Sequence, residues 1–112
     1  QALRIAESKV GSPYQYGGNG PESFDCSGLM VWSFKQVGVT LPRSSSQQAT
    51  VGTAVPLDQV EPGDLVFFYR PVSHVAIVRS VENGQVTVLQ APQTGRTVSY
   101  SQRDDFISAR RI

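Results

Sequence analysis

Cysteine and histidine each occur once in this chain, and that scarcity removes whole classes of protein. A single cysteine cannot close an internal disulfide. One cysteine with one histidine falls short of the ligand clusters that zinc sites need. A disulfide scaffold and a Cys/His metal centre are therefore both excluded; nucleophilic chemistry at a thiol needs neither a metal nor an organic cofactor. An unpaired thiol suits a reducing compartment, yet an exported enzyme that uses a free thiol would look the same, so the compartment stays open on this ground. An excess of one charge is missing too: 10 Lys and Arg against 9 Asp and Glu leave a net charge of +1. The charges are interspersed, with no basic stripe for nucleic acid and no polybasic patch for a membrane. The longest apolar runs, such as "LVFFY" at 65–69, are far too short to span a bilayer, and no charged-then-apolar leader opens the chain. A soluble protein without nucleic-acid partner or membrane insertion is expected. The start at Gln1 rather than Met points to a mature product or an excised domain.

What is present is a chain of 112 residues, a length for one domain that buries roughly two-thirds of the surface its unfolded form exposes. The segment 1–10 places Leu3, Ala6 and Val10 on one helical face and stops at Gly11, soon followed by Pro13. Residues 11–23, dense in Gly and Pro, read as a loop. Cys26, Leu29, Met30, Ser33, Phe34 and Val37 then form one stripe of a second helix that Gly38 ends. Asp25 is a good N-cap, which puts Cys26 in the first turn, where free backbone N–H groups and the dipole favour a thiolate. The stretch "LPRSSSQQ" predicts a short helix, and "VEPGD" at 60–64 a turn into the strand 65–69. Strands at 74–81, 85–91 and 96–100 follow. Helices first and strands after predict an α+β fold, with helices packed on an antiparallel sheet.

A nucleophilic thiol needs a group that removes its proton and later protonates the leaving amine, and imidazole does both near neutral pH. His74, at the start of a strand, is the one candidate. The alternative reading makes His74 a surface residue and Cys26 a small core hydrophobe, since free cysteine is among the most buried residue types. A third group would orient the imidazole through its other nitrogen, and hairpin register nominates it. A two-residue turn at Asn83 and Gly84 puts Ile77 opposite Gln90 and Arg79 opposite Val88, a poor match. A three-residue loop of Glu82, Asn83 and Gly84 pairs Val78 with Val88, Ile77 with Leu89 and Arg79 with Thr87. Gln90 then lies opposite Ala76 and diagonal to His74 on the same face, about 7–8 Å away between backbones. Against this stands the plain possibility that Gln90 is a polar residue on a solvated strand face.

The order "GSPYQYGG", "FDCSGLM", "LPRSSSQQ", "PGDLVFF", "HVAIV" resembles, over almost the whole length, the NlpC-type cell-wall endopeptidases of bacteria, which are papain-like cysteine peptidases. The resemblance implies a single catalytic domain over 1–112, with a cysteine-bearing helix against a sheet that carries the histidine. It implies hydrolysis of peptidoglycan stem peptides, most often between D-γ-glutamyl and diaminopimelate or lysine, by an exported, wall-acting enzyme. Cys26 matches the nucleophile, His74 the base, and Tyr14 the tyrosine that helps polarise the scissile carbonyl. Asp25 and Ser27, flanking the nucleophile, and Arg43 and Ser45, near the substrate, match binding positions. Asp25 as a plain N-cap, Arg43 as a surface ion-pair partner and Tyr14 as a packed loop aromatic are the structural alternatives. Asp64 shapes the turn into its strand. The departure is at the third position: relatives commonly place His there, some Glu or another polar group, whereas this hairpin offers Gln90 after a longer segment. A non-catalytic wall-binding module and a thiol amidase or acyltransferase are the rival readings. A monomer is expected, with flanking targeting or regulatory segments in the full-length protein.

Overall fold

Asp25 starts the helix around which the site is arranged. In the computed structural model, which describes residues 1–112, the Asp25 backbone is extended and its carboxylate accepts the Gly28 amide at 2.6 Å. One of the donors that a helix start leaves unpaired is thereby satisfied. This helix, α2, runs Cys26–Lys35 and buries Leu29, Met30, Ser33 and Phe34 along one stripe, each large apolar side chain contributing about 2 kcal/mol. Val37 falls outside the stripe: the helix has ended, and the side chain is exposed. The first helix, α1, spans only Ala2–Glu7 and packs on α2 through Ala2 and Ala6. Val10, expected on that face, is exposed. The Ser8 hydroxyl bonds back to the Ile5 carbonyl at 2.6 Å, a side-chain bond that competes with further helix. The short α3, Ser45–Gln48, opens with a capping box between Ser44 and Gln47.

The strands are β1 (Thr53–Ala54), β2 (Leu65–Phe68), β3 (His74–Glu82), β4 (Gln85–Gln90), β5 (Ser99–Gln102) and β6 (Ser108–Arg111). They form one six-stranded sheet in the order β1-β6-β2-β3-β4-β5, every pair antiparallel. The α+β architecture read from the sequence holds, while β1 and β6 were not legible there. The last expected strand, 96–100, begins instead at Ser99. Arg96, Thr97 and Val98 pair with the loop at 11–14: the Tyr14 amide donates to Arg96 and the Val98 amide to Ser12. That pairing ties the loop bearing Tyr14 to the sheet.

The β3–β4 hairpin corrects the sequence reading. The loop is the two-residue turn after all, with Asn83 at φ 53° and Gly84 at φ 76° and Glu82 opposite Gln85. Two left-handed residues in succession match the twist of the strands. The rejected register holds near the turn, where Ser80 faces Thr87, and then a bulge between Val78 and Ser80 shifts it. Beyond the bulge Val78 meets Val88 and Ile77 meets Leu89, the register that the hydrophobic match predicts. Arg79 is the extra residue; it reaches out to Glu7 at 3.2 Å and lies over the Tyr100 ring.

Both faces of the sheet are covered. Leu65, Phe67, Val75, Ile77 and Leu89 pack against the helices. Val66, Phe68, Ala76, Val78 and Val88 face the other way, where Val55, Val60 and Phe106 from the connecting segments close over them. Double coverage explains why the central strands are apolar without alternation. Asp64 shapes the turn into β2 as expected, accepting the Glu61 amide at 2.8 Å, and it also holds Arg111 of β6 through both carboxylate oxygens at 2.8 Å. No helix is long and apolar enough to cross a membrane.

Candidate active site

Cys26 and His74 reach one cleft from different layers. Cys26 begins α2 on the helical side. His74 shares its strand parity with Ala76 and Val78, so its side chain belongs to the opposite face. Only because it is the first residue of β3 can its ring open past the strand end onto the cleft that Cys26 also lines. That half of the cleft is completed by Tyr14, Tyr69, Ser73, Pro92, Gln93 and Arg103. A second half, with Asp25, Ser27, Arg43 and Ser45, extends the other way. Tyr14, Cys26 and Ser73 belong to both halves, which places the thiol at the middle of a continuous groove.

His74 Nε2 lies 2.8 Å from the Gln90 side-chain oxygen, and both side chains are buried. A residue that the sequence reading missed stands beside them and lines the same half of the cleft. Arg103 donates from Nη1 to the same Gln90 oxygen at 3.2 Å, while its Nε and Nη2 grip Asp105 at 3.0 and 2.7 Å. Arg103 follows β5 directly and is far from His74 in sequence; nothing in local spacing could have pointed to it.

On the other side of the thiol, Asp25 is a hub. Beyond capping α2 it accepts the Gly17 amide at 3.0 Å, the Ser27 hydroxyl at 3.3 Å, and both Nη atoms of Arg43 at 3.2 and 2.9 Å. Arg43 also donates to the Ser27 hydroxyl at 2.8 Å. The N-cap and the ion pair are thus the observed state of Asp25 and Arg43, with the guanidinium still partly open to the groove. Ser45 lines the same half from the start of α3. No backbone carbonyl or side-chain oxygen accepts the Cys26 and Ser27 amides at the α2 start; they turn towards the Cys26 sulfur, where an anion could take them.

The thiol itself departs from expectation. Burial pushes the Cys26 thiol above its ordinary 9.0; the Val75 amide pulls it back, and the Asp25 carboxylate raises it further. A helix start alone favours a thiolate, but here the N-cap carboxylate offsets the dipole and desolvation decides. Burial likewise holds His74 below 6.5, opposed by its bond to Gln90, reinforced by Arg103 and eased by Asp105. Burial first, then repulsion from the neighbouring Cys26 and Asp25 groups when ionised, raise the Tyr14 phenol, which remains a donor. Burial thus favours the neutral form of both the thiol and the imidazole. Facing His74 are Cys26 across the cleft, Tyr69, and Arg103 with Asp105 behind it. Titration of the lone histidine by NMR is expected to give a midpoint below 6.5. Because the unfolded chain then binds a proton that the folded one does not, stability falls as pH drops through 6.5 towards the folded value. A midpoint at or above 6.5, or stability flat across that window, would overturn this assignment.

An α+β domain with a cysteine at a helix start and a histidine on an adjoining antiparallel sheet has the architecture of the papain-like cysteine peptidases. Residues 11–111 match the family model described as the NlpC/P60 family, and the chain belongs to that family of cysteine peptidases. It is 43% identical over 94 residues to a probable endopeptidase of Corynebacterium glutamicum, a match covering 84% of this chain and 43% of that protein. It is 46% identical over 83 residues to the probable endopeptidase p60 of Listeria seeligeri, covering 72% of this chain and 16% of that one. The chain therefore spans less than half the length of these relatives. Among solved structures, the NlpC/p60 domain of the peptidoglycan hydrolase SagA superposes with a TM-score of 0.89 at 29% identity, covering 99% of this chain and 96% of that one. The peptidoglycan hydrolase RipB of Mycobacterium tuberculosis superposes with a TM-score of 0.85 at 30% identity, covering 98% and 62%.

Proposed function

We propose that this chain is a peptidoglycan endopeptidase domain that hydrolyses a stem-peptide amide bond, that between D-γ-glutamyl and meso-diaminopimelate or lysine. The observation that carries the reading is the buried His74–Gln90 pair opening on the groove whose midpoint is Cys26. The names of SagA and RipB as peptidoglycan hydrolases support the substrate class. His74 Nδ1 takes the thiol proton as the Cys26 sulfur attacks the scissile carbonyl carbon. The oxyanion is held by the free amides at the α2 start and by the Tyr14 phenol. His74 then passes its proton to the leaving amine nitrogen, the C–N bond breaks, and a thioester remains. Water, deprotonated by His74, releases the acid and returns the thiol. The half of the groove with Asp25, Ser27, Arg43 and Ser45 takes the acyl side of the peptide, where Arg43 offers charge to its carboxylates. The half with Tyr69 and Gln93 takes the leaving side. Residues 1–112 act as one catalytic domain of an exported, wall-associated protein, and segments outside the chain supply targeting.

The test is mass spectrometry of defined muropeptides, carrying diaminopimelate or lysine at the third position, incubated with wild type and with Cys26→Ala. Fragments split after D-γ-glutamate with wild type alone are expected. If neither form cleaves while both bind, the domain is a wall-binding module. Transfer of the acyl group to an added amine in preference to water would make it an acyltransferase.

A further inference from the structure

We propose that Arg103 is a positioning residue for the reaction: by donating to the Gln90 side-chain oxygen it fixes that amide and, through it, the protonation pattern of His74, with the proton on Nε2 and Nδ1 free towards Cys26. The inference rests on the reading of Cys26 and His74 as the reacting pair.

A glutamine side chain has nearly the same shape in its two amide orientations, one presenting oxygen and the other NH2. With NH2 turned inward, His74 would have to accept at Nε2, and the proton would move to Nδ1, the nitrogen needed as base. Gln90 alone does not choose between these states. Arg103 does, because a guanidinium carries only donors. With Arg103 Nη1 at 3.2 Å, an inward NH2 would face a second donor, so only the oxygen fits. Since that oxygen only accepts, the His74 nitrogen 2.8 Å away must donate.

Arg103 is itself held on every side. Asp105 takes Nε and Nη2, the Tyr69 hydroxyl lies 3.2 Å from Nη2, and the guanidinium stacks 3.9 Å from the centre of the Phe68 ring. The Phe68 ring in turn lies 5.1 Å from that of His74. Tyr69 keeps a left-handed φ of 72°, a strained conformation for a bulky residue; in this conformation its hydroxyl meets Arg103. Arg103 also lines the cleft half that holds Cys26 and His74, but nearly all its donors are engaged by protein groups, which leaves little for substrate.

The chain holds one histidine, so 15N NMR of the imidazole reads the tautomer directly, without any wall substrate. Wild type is expected to show the Nε2–H form. Arg103→Met, which keeps an apolar chain over Phe68, is expected to give a mixture of both tautomers and to lower kcat about tenfold with KM little changed. Adding Gln90→Glu to Arg103→Met is expected to restore the Nε2–H form, because a carboxylate only accepts and has no orientation to choose. A merely structural role for Arg103 would not be rescued in this way. Should Arg103→Met fold poorly, Asp105→Asn loosens the same guanidinium from the exposed side and is expected to give a partial shift to the mixture. An unchanged single tautomer in these folded variants overturns the proposal. Failure of every form to cut muropeptides, with the NMR pattern intact, would instead count against the endopeptidase reading alone.

Discussion

Replacing His74 with alanine is expected to lower turnover about a thousandfold, within the range set by loss of a general base, while the fold survives. No other imidazole exists in the chain to take over. Burial favours the neutral Cys26 thiol, so the nucleophile is weak unless a base stands beside it. The usual danger of truncating a buried polar group is that its partner is left unpaired. Here the Gln90 oxygen keeps its bond from Arg103, and the cost in stability is expected to stay at about 1–2 kcal/mol. The cavity opens on the cleft, so added imidazole should restore part of the rate. The measurement is kcat/KM on a defined muropeptide, paired with the rate of Cys26 alkylation by iodoacetamide. Retention of more than a tenth of wild-type activity would show that His74 is not the base.

The second large effect concerns a residue without chemistry of its own. Gly28 lies in the first turn of α2, and a methyl group there would overlap the Gly18 carbonyl oxygen and come within 2.9 Å of the Asp25 carboxylate. That carbonyl accepts the Asp25 amide at 2.8 Å, and the Gly18 amide returns to Gln15 at 2.8 Å. The loop bearing Tyr14 and the helix start bearing Cys26 are therefore locked together through backbone that cannot recede singly. Gly28→Ala is expected to cost about 1–3 kcal/mol by overpacking and to lower kcat about a hundredfold, since a displacement of order 1 Å misaligns thiol and oxyanion donors. Urea denaturation and muropeptide kinetics measure the two effects. Gly38→Ala serves as the contrast: its φ of +85° strains any side chain, but no heavy atom stands within 4 Å, so stability should drop with kcat unchanged. If Gly28→Ala behaves like Gly38→Ala, the close approach does not position the site.

The parts of this arrangement that the sequence made legible are those encoded by short-range period or by a local competition. The stripe of α2 and its Asp25 cap repeat at helical spacing, and the capping box of α3 lies within four residues. The shared face of His74 and Gln90 was legible through hydrophobic matching of two adjacent strands. The route was wrong even so, because a bulge and a tight turn together give the same pairing near Gln90 as a wider loop without a bulge. Arg103, β1 and β6 were not legible, since their partners are fixed by tertiary closure: β6 pairs with β2 and with β1, both far away in the chain. The state of the thiol was misjudged for a similar reason. Helix position is a local property, whereas desolvation comes from β3 packing against α2.

The bulge at Arg79 has a consequence for how this scaffold tolerates change. It divides the β3–β4 hairpin into an inner part, whose pairing sets the His74–Gln90 alignment, and an outer part that ends at Asn83 and Gly84. Side chains alternate with a period of two, so lengthening each arm beyond Val81 and Val86 by the same even number of residues leaves every inner side chain on its face. Only the tip at Asn83 and Gly84 is an adjustable projection, where insertions, affinity tags or a grafted recognition loop can be carried; Val86 below it is buried in the core and accepts the Arg103 amide at 3.0 Å, so it ties the outer arm to the alignment at the strand base.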